Sequence, residues 1–265
     1  MSIGVFDSGL GGLCVLRELR TILPYDTLMY AADSKYVPYG TKPPEIIRER
    51  SLAIVRFLVE ERRAEAVVVA CNTATTHAVD MLRTQFAQVP IVGMEPAIKP
   101  AARATRSRVV GILATGATLA GERVVNLIER NADGIEVITQ PCPGLVEQVE
   151  RGDLTGPHTI ELLKRYTAPL IDRGADGIVL GCTHYNFLQD AIKQVVGPSV
   201  TLFDSAAAVA RQTARVLAAR RPVADDGAGA IEPVEFFTSG EPDAVRPVLI
   251  QLWREPVEKL LPLPA

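Results

Sequence analysis

Ala64-Glu65-Ala66-Val67-Val68-Val69-Ala70-Cys71 and Ala175-Asp176-Gly177-Ile178-Val179-Leu180-Gly181-Cys182 align without a gap at a separation of 111 residues. Each is a short apolar run, rich in β-branched residues, that closes on a cysteine. That is the pattern of a strand buried on both faces. Upstream, Gly4-Val5-Phe6-Asp7-Ser8-Gly9 aligns with Gly111-Ile112-Leu113-Ala114-Thr115-Gly116 at a separation of 107. Downstream, Val92-Gly93-Met94-Glu95-Pro96-Ala97 aligns with Thr201-Leu202-Phe203-Asp204-Ser205-Ala206 at 109. One similar strand pair is unremarkable in an α/β chain, but three in the same order at a near-constant separation predict duplicated lobes.

Outward from these segments, strand-like runs at 3–6, 27–31, 66–70, 91–94, 109–113, 135–139, 177–180 and 200–203 alternate with helical patterns such as 13–22, 44–62 and 158–173. The βαβα order predicts largely parallel sheets, which place ligands at the carboxyl ends of their strands. The expected fold class is therefore α/β: two similar Rossmann-like lobes related by pseudo-two-fold duplication, with the active site in the cleft between them. A crossover near 106–107 and a return near Ser205 divide the chain into a discontinuous first lobe, 1–97 plus 207–265, and a second lobe, 98–206. Residues 222–233, rich in Pro, Asp, Gly and Ala, read as an exposed loop. The strand-like 234–238 and helix-like 243–253 then return to complete the first lobe.

The 265 residues, 48% hydrophobic and 22% charged, suit a packed enzyme-sized body rather than a disordered or fibrous chain. A formal charge of −3 leaves no cationic excess, so no nucleic-acid or anionic-membrane partner is expected. No apolar run approaches a membrane span, and residues 1–6 read as a strand rather than a secretory leader. Cys14, Cys71, Cys142 and Cys182 are widely scattered without CxxC spacing, so free thiols in a reducing cytoplasm are expected.

Cys71 and Cys182 each stand where a strand gives way to the next helix. Helix-end amides and the dipole there are expected to lower a thiol from its usual value near 8.5. A single such cysteine is most simply a buried small residue. Equivalent positions in two repeats point instead to paired chemistry: two thiols on opposite sides of one bound molecule suit stereochemical inversion. One removes a proton from carbon and the other protonates the opposite face. Disulfide exchange fits less well without a CxxC pair. A zinc site built from Cys71, His77, Cys182 and His184 matches no usual ligand spacing. Cys14, in an apolar helical pattern, reads as packing, and so does Cys142 in the turn Pro141-Cys142-Pro143-Gly144.

In Asp7-Ser8-Gly9-Leu10-Gly11-Gly12, Asp7 is either a helix N-cap or a contact for a substrate ammonium. A dinucleotide reading would use Gly9 and Gly11, but Cys14 holds the third glycine position and only Asp33 could imitate the ribose-binding acid. The turn at Pro38-Tyr39-Gly40 could present Tyr39 and backbone amides to a carboxylate, although a plain surface turn fits equally. Thr115 and Thr118 offer hydroxyls at the second-lobe counterpart of the Asp7 loop, or else a helix cap.

Taken together, Gly4 to Gly12, Pro38-Tyr39-Gly40, Ala70-Cys71-Asn72-Thr73, Glu95 to Pro100, Gly181-Cys182-Thr183-His184-Tyr185 and Phe237-Thr238-Ser239-Gly240 make the chain resemble, over nearly its whole length, the glutamate racemases of the Asp/Glu racemase family. The resemblance implies cofactor-independent interconversion of L- and D-glutamate, supplying D-glutamate for peptidoglycan, with neither pyridoxal phosphate nor metal and with a homodimeric assembly. It implies Cys71 facing the α-proton of D-glutamate and Cys182 that of L-glutamate, with Asp7, His184 and Glu147 as auxiliary catalytic groups. Ser8, Tyr39, Gly40, Asn72, Thr73, Thr183, Asp7 and His184 match substrate-binding positions, with Thr115 and Thr118 added from the second-lobe loop. A racemase of aspartate or another amino acid is the close alternative, and a sensor of acidic metabolites the non-enzymatic one.

Overall fold

The computed structural model describes residues 1–220 and 231–264. Most of the loop expected at 222–233 therefore lies outside the described residues. The strands are β1 Ser2–Asp7, β2 Thr27–Ala32, β3 Ala66–Val69, β4 Ile91–Gly93, β5 Val109–Ala114, β6 Glu136–Pro141, β7 Gly177–Leu180, β8 Thr201–Phe203, β9 Glu235–Thr238 and β10 Leu260–Pro262. Among the described residues they form two sheets, ordered β10-β9-β2-β1-β3-β4 and β6-β5-β7-β8, with every neighbouring pair parallel. Without β9 and β10, the first order is the second shifted by four strands, so the repeat seen in the sequence is also a repeat of topology.

The apolar runs form strands because both faces are covered. Every residue of β3 and β7 is buried, as parallel sheets with helices on both sides require. In each sheet the central strand, β1 or β5, has its next strand in sequence on one side and the following one on the other. That reversal opens a crevice at the strands' carboxyl ends. Cys71 follows the end of β3 and Cys182 the end of β7, so the two thiols occupy equivalent crevices of the two sheets.

The helix Leu13–Ile22 buries Leu13, Val15, Leu16 and Leu19 on one stripe and packs on the helix Ala206–Ala218. The returning chain pairs β9 with β2, from Met29↔Glu235 to Ala32↔Thr238, and seats Trp253 edge-on against Phe236. The helix expected across 44–62 is regular only over Pro44–Arg56. It widens into a π turn at Phe57–Glu61, where Arg62 N–H reaches back to the Phe57 carbonyl at 3.0 Å.

Candidate active site

Cys71 is the N-cap of the helix Asn72–Gln85, and its Sγ accepts from the Ala74 N–H at 3.4 Å. This is the helix-end setting the sequence predicts, yet the thiol is pushed up to about 12 rather than lowered. Burial is the main cause and the Asp7 charge adds to it; the Ala74 amide and the Ser8 hydroxyl, 3.7 Å from Sγ, pull the other way and lose. Cys182 has no matching cap. It leads into a 3-10 turn, Thr183–Leu188, and its Sγ lies 3.8 Å from His184 Nδ1.

The other ring nitrogen of His184, Nε2, meets Glu150 Oε1 at 2.6 Å, and the same oxygen accepts from the Leu10 N–H at 2.6 Å. Burial lowers the His184 pKa, but the hydrogen bonds to Cys182 and Glu150 outweigh it and hold the imidazole well above its ordinary value. Asp7 is fully buried. Its Oδ1 accepts from the Gly9 N–H at 2.8 Å and its Oδ2 from the Thr183 hydroxyl at 3.0 Å. Burial raises its carboxyl to about 6, against the opposing pull of His184 and these two donors. Asp7 thus fixes the geometry of the loop after β1; the N-cap of the helix Leu13–Ile22 is Gly12, so the capping alternative does not apply.

The glycines of this loop are explained by crowding across the cleft. A Cβ on Gly9 would collide with the Glu150 carboxylate, and one on Gly11 with the His184 ring and the Thr183 hydroxyl. Side chains of the helix Leu145–Glu150 and the turn Thr183–Leu188 therefore crowd the glycines that a dinucleotide reading would use.

One cavity, with a volume of ≈ 10 Å³, is lined by both Cys71 and Cys182 and by Ser8, Tyr39, Gly40, Asn72, Thr73, Thr115, Thr183 and His184. Both side-chain amide atoms of Asn72 are buried without a hydrogen-bond partner, a state costly enough to suggest that a ligand completes it. Thr73 Oγ1 lies 3.0 Å from Thr115 Oγ1 and 2.9 Å from Thr118 Oγ1, so three hydroxyls join the two sides of the cleft; Thr118 sits behind the lining. Tyr39 lines the cavity while its hydroxyl is committed to Asp33 Oδ2 at 2.6 Å. Larger clefts of ≈ 600 and ≈ 560 Å³ elsewhere contain no cysteine.

Glu147 stands apart from the His184 contact. It lies in the first turn of the short helix Leu145–Glu150 and lines a neighbouring pocket of ≈ 230 Å³ with Pro38, Gly40 and Thr115, a pocket that does not include His184. The carboxylate that reaches His184 is Glu150, one turn further on. The two acids are three residues apart on one helix, so spacing alone does not choose between them; the choice depends on how that helix is set against the loop after β1. Cys14 and Cys142 lie outside the cavity, their thiols directed at the Thr183 and Gln140 carbonyls.

Residues 14–213 match the Asp/Glu/hydantoin racemase family. A glutamate racemase of Methylococcus capsulatus is 49% identical over 263 residues, 99% of this chain and 95% of that relative. The crystal structure of Escherichia coli glutamate racemase, in complex with L-glutamate and the activator UDP-MurNAc-Ala, superposes with a TM-score of 0.88 at 37% identity, covering 99% of this chain and 97% of that one. That of Francisella tularensis glutamate racemase, in complex with D-glutamate, gives 0.82 at 26% identity over 98% and 96%. A duplicated parallel fold with a cysteine at each equivalent crevice, matched along its length by these proteins, leads to one assignment: the chain belongs to the Asp/Glu/hydantoin racemase family.

Proposed function

We propose that this chain interconverts L- and D-glutamate by proton transfer between two opposed thiols. The observation that carries the reading is a cavity lined by both Cys71 and Cys182, each just past the equivalent strand of its own sheet. The lobes are read as 1–97 plus 207–265 and 98–206. In the D-to-L direction the Cys71 thiolate takes the α-proton and becomes a thiol. The electron pair stays on the α-carbon, and the Cys182 thiol protonates the opposite face and is left as a thiolate. The reverse reaction exchanges the roles. The reaction needs no net redox change, and the reading invokes neither pyridoxal phosphate nor metal.

Asp7 and His184 serve the two sides differently. Ser8 lies between Cys71 and Asp7, 3.7 Å from the thiol and 3.4 Å from Oδ1, so one hydroxyl links the Asp7 carboxylate to the Cys71 side of the cleft. On the other side His184, oriented by Glu150, exchanges protons with Cys182. A thiol held near 12 is a poor base until a cation approaches, and the substrate's ammonium supplies one. Asn72, Thr73, Thr115, Thr118, Thr183 and the Tyr39-Gly40 turn supply the polar contacts for the two carboxylates. Among the described residues no helix is long and apolar enough to cross a membrane. A cytoplasmic homodimer that supplies D-glutamate for peptidoglycan is the proposed setting.

Incubation of reduced, chelator-treated protein with each enantiomer, followed by chiral chromatography, tests the reading. Both directions should proceed to a racemic mixture. Turnover of aspartate alone would move the assignment to the sibling activity, and glutamate binding without turnover would favour a sensor.

A further inference from the structure

Arg50 lies on the helix Pro44–Arg56, outside the cavity, yet it is the anchor of a chain of contacts that ends there. Its guanidinium forms a two-pronged bond with Asp33: Nε donates to Oδ2 at 3.1 Å and Nη2 to Oδ1 at 3.0 Å. The arginine side chain is 10% exposed, the aspartate side chain not at all, and the guanidinium lies over the Tyr36 ring, 4.2 Å from its centroid. Asp33 is itself fixed at the end of β2, where its N–H donates to the Asp7 carbonyl at 3.0 Å. The same Asp33 Oδ2 accepts from the Tyr39 hydroxyl at 2.6 Å. One carboxylate therefore ties the turn Pro38-Tyr39-Gly40, which lines the cavity, to a rigid helix and a central sheet.

Neither Arg50 nor Asp33 lines the cavity. Buried ion pairs add little net stability over apolar packing, but they fix geometry well, because a forked guanidinium accepts only one arrangement of the carboxylate. The hydroxyl of Tyr39 is spent on this contact, which leaves the backbone amides of the turn as its free donors to a carboxylate in the cleft. Gly40 abuts Thr115 of the opposite sheet, which leaves the turn little freedom to find its place otherwise.

We propose that Arg50 is a positioning residue of the racemisation: through Asp33 and the Tyr39 hydroxyl it sets the 38–40 turn where its backbone meets a substrate carboxylate. The inference rests on the glutamate reading above. The carboxylate keeps its charge from ground state to transition state, so a displaced turn weakens binding of both alike. KM then rises while kcat changes little. A merely structural role behaves differently: it reduces the folded, active fraction, which lowers apparent kcat and leaves KM in place.

Steady-state kinetics of Arg50→Ala, Arg50→Lys and Tyr39→Phe, with both enantiomers, separate these cases. Arg50→Ala should raise KM about tenfold for L- and D-glutamate, the loss of roughly one well-made hydrogen bond, with kcat within about twofold of wild type. Arg50→Lys, which keeps the charge and loses the fork, should fall between. Tyr39→Phe should reproduce the rise, and combining it with Arg50→Ala should add little, since both cut the same chain. The enantiomers have equal free energy, so kcat/KM must stay matched between them in every variant, an internal check on the kinetics. If Arg50→Ala does not fold, Arg50→Lys and Tyr39→Phe carry the test. Unchanged KM in folded variants overturns the positioning role. A wild-type control that does not racemise glutamate defeats the proposed function instead.

Discussion

Asp7 is held where ionisation is resisted, and that has a signature in stability. Its carboxyl sits at about 6 in the fold against 3.8 as an unperturbed group, chiefly through burial. Below pH 4 the group is protonated in folded and unfolded chains alike and costs nothing. Between pH 4 and 6 the unfolded chain releases its proton while the folded chain keeps it, so stability falls across this window to a penalty on the order of 3 kcal/mol that is constant above it. Asp7→Asn should therefore be more stable than wild type by about that amount above pH 7, with the gain gone below pH 4. Denaturant titrations across this range check it, and parallel stability curves for the two proteins would contradict it. Racemisation by the same variant should fall by about two orders of magnitude, the usual scale for a lost acid/base partner. At Glu150 and Glu147 the expectation is a contrast: Glu150→Gln removes the carboxylate that holds and orients the His184 ring and should cost about 10- to 100-fold in kcat, whereas Glu147→Gln should stay near wild type. Equal losses would return the role to Glu147. That Cys71, Cys182 and His184 meet at one cavity, with Asp7 bonded to Thr183 beside it, was legible from the repeat and the motifs. The contact of Glu150 with His184 was not, because it depends on where one helix meets a loop 140 residues away in sequence.

The strands and helices that position these groups were legible wherever apolar patterning was strong. β7 begins and ends where the sequence places it, at Gly177–Leu180, and so does the helix Leu13–Ile22. β10 was missed because three residues, Leu260–Pro262, carry no period of their own; its place is set by pairing with β9. The effect of a helix end on Cys71 was anticipated in direction but not in outcome, since burial is a tertiary quantity that no local pattern reports. The glycine-rich loop after β1 reads in sequence like a phosphate cradle, and the fold gives its glycines another use, as room for Glu150, Thr183 and His184. Gly11→Ala puts a methyl group into the His184 ring and the Thr183 hydroxyl. It should reduce racemisation at least about tenfold while costing roughly 1–3 kcal/mol of stability, as overpacking does. Wild-type kinetics in this variant would show that the loop is not pressed by the opposite sheet.

At the scale of the whole molecule, the two sheets are joined across the cleft by Leu10 with Glu150, Asp7 with Thr183 and Thr73 with Thr115 and Thr118, and further along by Arg123, which pairs with Asp80 at 2.6 Å and Glu95 at 2.9 Å. A cavity of ≈ 10 Å³ holds about one water, so the walls must part to admit an amino acid and close to exclude water from a carbanion. The duplicated topology makes such an arrangement two-sided, and two-sidedness is the central claim: each thiol serves one face. Cys71→Ser and Cys182→Ser, assayed in deuterated water with the α-proton followed by NMR, test it most directly. Serine ionises far less readily than cysteine, so each variant should lose nearly all racemisation. Cys71→Ser, with Cys182 intact, should still exchange the α-proton of L-glutamate slowly and without inversion, and Cys182→Ser should do the same with D-glutamate only. Full racemisation by either folded serine variant would contradict the two-thiol account, and exchange with the opposite enantiomer would keep both bases and reverse the faces assigned to them.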